Sequence, residues 1–228
     1  LMRAAATALM ACAGSPDNLN GTIGVMATLH TWSNDLFYHP HVHCMVPSGS
    51  VSSEGKWQSS QSLRPAPDGE LAKRFCEKFR RIMMAALPGV EFPDAASLTE
   101  AKVYSERAQH GADVVMRYLG RSLYQGPLSD YRIVEVGDDS VVFICRDKSD
   151  RKWRKVRLSG HEFMRRWLQH VWPDNTHKVL YFGLWSRKSR DRLKAIKREL
   201  EAASANQDSV AEPAIAPASK SERKIRCP

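Results

Sequence analysis

The stretch His39-Pro40-His41-Val42-His43-Cys44-Met45-Val46 constrains the fold more tightly than any other part of this chain. In an extended chain, alternate side chains share a face, so His41 and His43 project together while Val42 and Cys44 project the other way. Two imidazoles side by side on a strand, with an apolar opposite face to bury, make a ready two-point metal site. The structural alternative is a pair of half-buried histidines in an ordinary strand. Three histidines in five positions favour the metal reading. Pro40 has no N–H and marks the first residue of the strand or an edge position.

The rest of the chain alternates between short strands and amphipathic helices. An Ala-rich helix over residues 1–13 precedes a strand over Gly21–His30, which Gly24 weakens. The histidine strand runs from about 40 to 47, and a short strand at Lys56-Trp57-Gln58 completes a hairpin. Leu71, Phe75, Phe79, Ile82, Met83 and Ala86 recur at helical spacing between Glu70 and Leu87, and Ala101–Glu106 reads as a further strand. Val115, Met116, Leu119 and Leu123 form the core-facing stripe of a helix over Gly111–Tyr124. Tyr131–Val136, Ser140–Arg146 and Trp153–Leu158 read as a meander, followed by a helix over Glu162–Val171, a strand over Lys178–Phe182 and a basic helix over Ser186–Ala203. Residues 204–228 change to Ala, Ser, Pro and Gln and are expected to be a disordered tail.

Among the 228 residues, Lys and Arg outnumber Asp and Glu by 34 to 25, a formal charge of +9 that suits a polyanionic partner such as nucleic acid. Hydrophobic residues make up 43%, enough for a folded core. Cys12, Cys44, Cys76, Cys145 and Cys227 are scattered and odd in number, which points to free thiols in a reducing, cytoplasmic compartment. No apolar run approaches the length of a membrane span, and no membrane partner is expected. The chain opens on Leu1, and is read as one whose true start lies upstream.

Four blocks carry a resemblance: Leu29-His30-Thr31-Trp32, His39-Pro40-His41-Val42-His43-Cys44, Arg117-Tyr118-Leu119-Gly120-Arg121 and Tyr181-Phe182-Gly183-Leu184. Taken in this order they resemble the rolling-circle insertion-sequence transposases of the His-hydrophobe-His (HUH) superfamily, the group described as two-tyrosine transposases. The likeness extends from residue 1 to about 200. It implies an α+β fold, an antiparallel sheet carrying the His-x-His strand with helices packed on it. Residues 1–203 would then be an N-terminally truncated catalytic domain and 204–228 a tail.

The resemblance also implies single-stranded DNA cleavage by a tyrosine nucleophile, with Tyr118 in that role and a 5′-phosphotyrosyl intermediate. His41 and His43 would be metal ligands, with His39 and His30 as alternative third ligands. The ion would be a divalent metal, Mg²⁺ or Mn²⁺ first and Zn²⁺ as a further option. Single-stranded DNA at the element ends and target would be the partner. Its contacts would come from Lys102, Arg117, Arg121, Lys178, Arg187 and Lys188, together with the basic meander and Trp153, Tyr181 and Trp185. The sequence departs from the two-tyrosine pattern, because Ser122 stands where Tyr-x-x-x-Tyr would place its second tyrosine. Two other readings follow from that departure and from the histidines. One is a catalytically impaired DNA-binding remnant of such an element. The other is a histidine-metal hydrolase that uses water.

Overall fold

A computed structural model describes residues 1–60, 64–92, 101–105, 120, 126–147 and 149–208. The fold is mixed α+β. Its elements are α1 (Met2–Ala13), β1 (Gly24–Trp32), β2 (Tyr38–Met45), β3 (Gly49–Val51), β4 (Trp57–Ser59), α2 (Asp68–Ala86), β5 (Ile133–Val136), β6 (Ser140–Arg146), β7 (Trp153–Ser159), α3 (Gly160–Leu168), β8 (Val179–Gly183) and α4 (Arg190–Asp208). Three sheets form, in the orders β2-β1-β8, β3-β4 and β5-β6-β7, the last two antiparallel. The chain makes two compact units, one drawing on residues 1–27, 44–107 and 180–224, the other on 28–43 and 108–179.

In the first unit α1 presents Ala6 and Ala13 to Ile23 and Val25, and Leu9, Met10, Cys44 and Phe182 close around them. Alanine serves twice here, since it favours helix and lets neighbouring chains approach closely. Cys44 is therefore on the buried face of β2, as alternation requires, and burial pushes its thiol up to about 12. The hairpin β3-β4 pairs Val51 with Trp57, and Val51 joins Leu184 and Ile196 in a small core with Trp57 and Trp185. The weak-looking Gly24 has a packing cause, because a Cβ there would lie 2.7 Å from the Trp185 ring. Along α2, only Leu71 and Cys76 of the apolar face are buried, and Ala86 at its end is exposed. Residues 101–105, expected as a strand, pair with no neighbour and are irregular. Their apolar content is used differently, with Val103 packing against Cys12, Ala66 and Leu71 as an anchored loop.

In the second unit the meander β5-β6-β7 packs Phe143 and Cys145 against Leu36, Leu128, Val156, Phe163 and Trp167. The helix α3 begins at Gly160 because Ser159 accepts a hydrogen bond from the Glu162 N–H at 3.2 Å, an N-cap. Two salt bridges from Arg165 and Arg166 hold the Glu162 carboxyl down to about 2. The turn after β1 is fixed by His170. Its Nε2 lies 3.1 Å from the Leu36 carbonyl, which can only accept, so Nε2 carries the proton and Nδ1 accepts from the Thr31 hydroxyl at 3.1 Å. His170 is buried and neutral, and burial lowers its pKa.

Two measurements check these packing arguments. Gly183 closes β8 in the left-handed region (φ 58°), and a Cβ there would collide with the Ile23 carbonyl oxygen. Gly183→Ala is expected to cost about 2 kcal/mol or more, read as a lowered urea midpoint. Gly69→Ala, where the added Cβ meets nothing within 4 Å, is expected to be neutral or mildly stabilising. An unfolded histidine titrates near 6.5 and folded His170 below that, so the unfolded state binds more protons in between. Stability is therefore expected to fall as pH drops below about 6.5. In His170→Asn, that acid-dependent fall in melting temperature is expected to be smaller, with lower stability at pH 7 as the starting point.

Candidate metal centre

The centre is built from two neighbouring strands of the second unit. On β1, His30 and Trp32 share a face; on β2, His39, His41 and His43 share one. Because β1 and β2 are adjacent in the sheet, the two faces combine and the imidazoles converge. One ligand nitrogen from each of His30, His41 and His43 lies within 4.8 Å of the others. Ring centroids are 4.5 Å apart for His30–His43, 5.0 Å for His41–His43 and 5.4 Å for His30–His41. Small side-chain rotations would bring all three nitrogens to the roughly 2 Å bond lengths of an imidazole-bound ion.

His39 shares the parity of His41 and His43 but does not join them. His39 places its ring 5.1 Å from that of His41, outside the group of three whose ligand atoms lie within 4.8 Å of one another. It acts through its backbone instead: the His39 carbonyl accepts a hydrogen bond from His41 Nδ1 at 2.8 Å. A carbonyl cannot donate, so His41 keeps its proton on Nδ1 and presents the Nε2 lone pair, the tautomer a metal ligand needs.

The environment disfavours charge on His43. Burial pushes His43 down to about 3, and the neighbouring His30 and His41 add to that shift. His30 is only 4% exposed and stacks on Trp32, with ring centroids 4.7 Å apart and planes 17° apart. Lys178 places its ammonium 5.1 Å from the centre of the same indole. Trp32 thus contacts both the His30 ring and the Lys178 ammonium. A donor set of three imidazoles fits a borderline divalent ion.

The other residues singled out from the sequence are placed as follows. Lys178 is half-buried beside Trp32, and burial lowers its pKa. Lys102, Arg187 and Lys188 are exposed in the first unit. Tyr118, Arg117, Arg121 and Ser122 lie outside the described residues. Of the tail expected over 204–228, residues 204–208 instead continue α4 to Asp208, and the rest lies outside the described residues. Cys12, Cys44, Cys76 and Cys145 are free thiols. Among the described residues no helix is long and apolar enough to cross a membrane. Two further residues bear on the site, Trp32 and His170, whose rings lie 6.2 Å apart. Trp32 was detectable, since it sits two positions from His30 on the same strand face.

This α+β scaffold with its histidine cluster has relatives. Residues 24–192 match the family model described as "Putative transposase", and the chain belongs to that transposase family. Among curated proteins it is 31% identical over 220 residues to "Putative transposase y4qJ" of Sinorhizobium fredii, covering 88% of this chain and 55% of that one. It is 24% identical over 192 residues to the "Transposase for insertion sequence element IS801" of Pseudomonas savastanoi pv. phaseolicola, covering 73% and 44%. The chain thus spans about half the length of the curated relatives it matches. No solved structure matches it.

Metal titration with Mn²⁺ or Zn²⁺, followed calorimetrically, tests the centre. His30→Ala, His41→Ala and His43→Ala are each expected to weaken binding at least tenfold. His39→Ala, which keeps the backbone carbonyl, is expected to bind within about threefold of the parent.

Proposed function

We propose that this chain is the nicking and strand-transfer portion of an HUH-type rolling-circle transposase, acting on single-stranded DNA through a covalent 5′-phosphotyrosine. The convergence of His30, His41 and His43 from two strands carries this reading. Membership of a transposase family and a formal charge of +9 support DNA as the substrate. The donors favour Mn²⁺ or Zn²⁺ over Mg²⁺, which prefers oxygen ligands.

A divalent ion on these histidines would withdraw charge from the scissile phosphate and orient it for in-line attack. Tyr118 is the nucleophile in this scheme, on the strength of the Arg117-Tyr118-Leu119-Gly120-Arg121 block. Its oxygen, having given up its proton, bonds to phosphorus as the bond from phosphorus to the 3′ oxygen breaks. The departing strand takes a proton and leaves with a 3′-OH. The phosphodiester energy is kept in the tyrosyl ester, so attack by another 3′-OH rejoins DNA without a nucleotide cofactor. Arg117, Arg121 and Lys178 would hold the DNA backbone near the reacting phosphate. Lys102, Arg187 and Lys188 would contribute charge elsewhere along the strand. Ser122 in place of a second tyrosine favours a chain that makes one covalent link at a time.

The experiment is adduct trapping. With single-stranded oligonucleotide carrying the element end and Mn²⁺, a protein–DNA adduct that survives denaturation is expected. Tyr118→Phe should abolish it while leaving DNA affinity within about twofold. Metal-dependent cleavage without an adduct would instead identify a hydrolase that uses water. Binding with no cleavage would identify a DNA-binding remnant, the second reading that Ser122 favours.

A further inference from the structure

We propose that a cavity in the second unit, sharing the Trp32 wall with the histidine cluster, receives one unpaired nucleobase of single-stranded DNA. This rests on the reading of DNA as the substrate. The cavity measures about 150 Å³ and is lined by Trp32, Tyr131, Arg132, Arg146 and Trp153, with Ser129 among its polar groups. Drug-sized sites run from about 300 to 1,000 Å³. This one has the size of a single flat ring system.

Its walls have the chemistry that recognises a base. Trp153 is 55% exposed and Tyr131 72% exposed, two large rings left in water on the same rim. Exposed rings beside cations are how proteins hold unpaired nucleotides, since every base has a face to stack. Arg132 is buried and fixed, its Nε donating to the Ile144 carbonyl at 2.8 Å and its Nη2 to the Asn34 carbonyl. Arg146 is held through Nε by the Arg151 carbonyl at 2.6 Å and makes no salt bridge among the described residues. Its terminal nitrogens remain the natural donors for a base edge or a phosphate.

The sheet supplies a track for the adjoining backbone. Register places Arg146 beside Trp153, and Lys155 and Arg157 follow Trp153 at alternate positions of β7, all on one face. Phe143 and Val156 take up the opposite face in the core. Both cations are exposed, and the 3.1 Å pair of Arg157 with Glu135 is a surface pair that yields readily to a phosphate. Trp32 lines the cavity, and its indole also stacks on His30 at 4.7 Å. A base held here touches a residue that also touches the candidate metal centre. The pocket therefore selects the nucleotide next to the phosphate that is cut.

Abasic scanning tests this with the 228-residue chain. Oligonucleotides carrying one abasic site at successive positions are compared by fluorescence anisotropy. One position near the cut is expected to lose on the order of tenfold or more in affinity. Trp153→Ala is expected to lose a similar factor on intact DNA and to be insensitive to that abasic site, with Trp153→Phe restoring most of the binding. Trp153 is exposed, so the variant should fold; an unchanged melting temperature verifies it. A flat abasic profile, or Trp153→Ala binding as tightly as the parent, overturns the pocket, and adduct formation by the parent would then leave the nicking reading intact. A position-specific loss without any adduct supports the pocket and counts against the nicking reading.

Discussion

The adjacency of β1 and β2 is the constraint on which the site depends. Alternation along each strand sends Val25 and Cys44 into a core and His30, His41 and His43 to the other face. A slip of one residue in either strand would exchange those faces, burying imidazoles and exposing the core. The register of the histidines is thus enforced by ordinary hydrophobic burial a few residues away. The geometry of the candidate metal site is one that packing has already set.

Around that pair the protein spends side chains on orientation. His41 is turned by a carbonyl two residues back, His30 by the Trp32 ring, and the turn after β1 by His170 bridging Thr31 and Leu36. Each of these contacts is local or joins elements of the same unit. His43 stays neutral because it is buried and because His30 and His41 lie beside it. An imidazole binds a divalent ion in its neutral form, and the chain belongs to a transposase family.

Some of the fold was legible because the cues were local. The meander was read from β-branched residues between tight turns, and β5, β6 and β7 fall within a few residues of that reading. The start of α3 was missed by two residues, although Ser159-Gly160-His161-Glu162 has the Ser-x-x-Glu spacing of a helix cap. The expected strand at 101–106 failed for a different reason. Its apolar residues serve as an anchor for a loop, and alternation alone does not say whether a partner strand is available.

By itself the sequence determined that His41 and His43 share a strand face, that Cys44 faces away from them, and that the chain is basic and α+β. Those follow from periodicity and composition, which are properties of neighbours along the chain. The choice between His30 and His39 as the third imidazole of the cluster belonged to the tertiary structure. His39 shares the parity of the pair and His30 ends the preceding strand; the lateral placement of β1 against β2 is what brings His30 to His41 and His43. The same holds for Trp32, which becomes a shared wall between the histidines and a cavity only when residues more than ninety positions apart are brought together. Pairing across strands is a non-local event, and no local pattern encodes it.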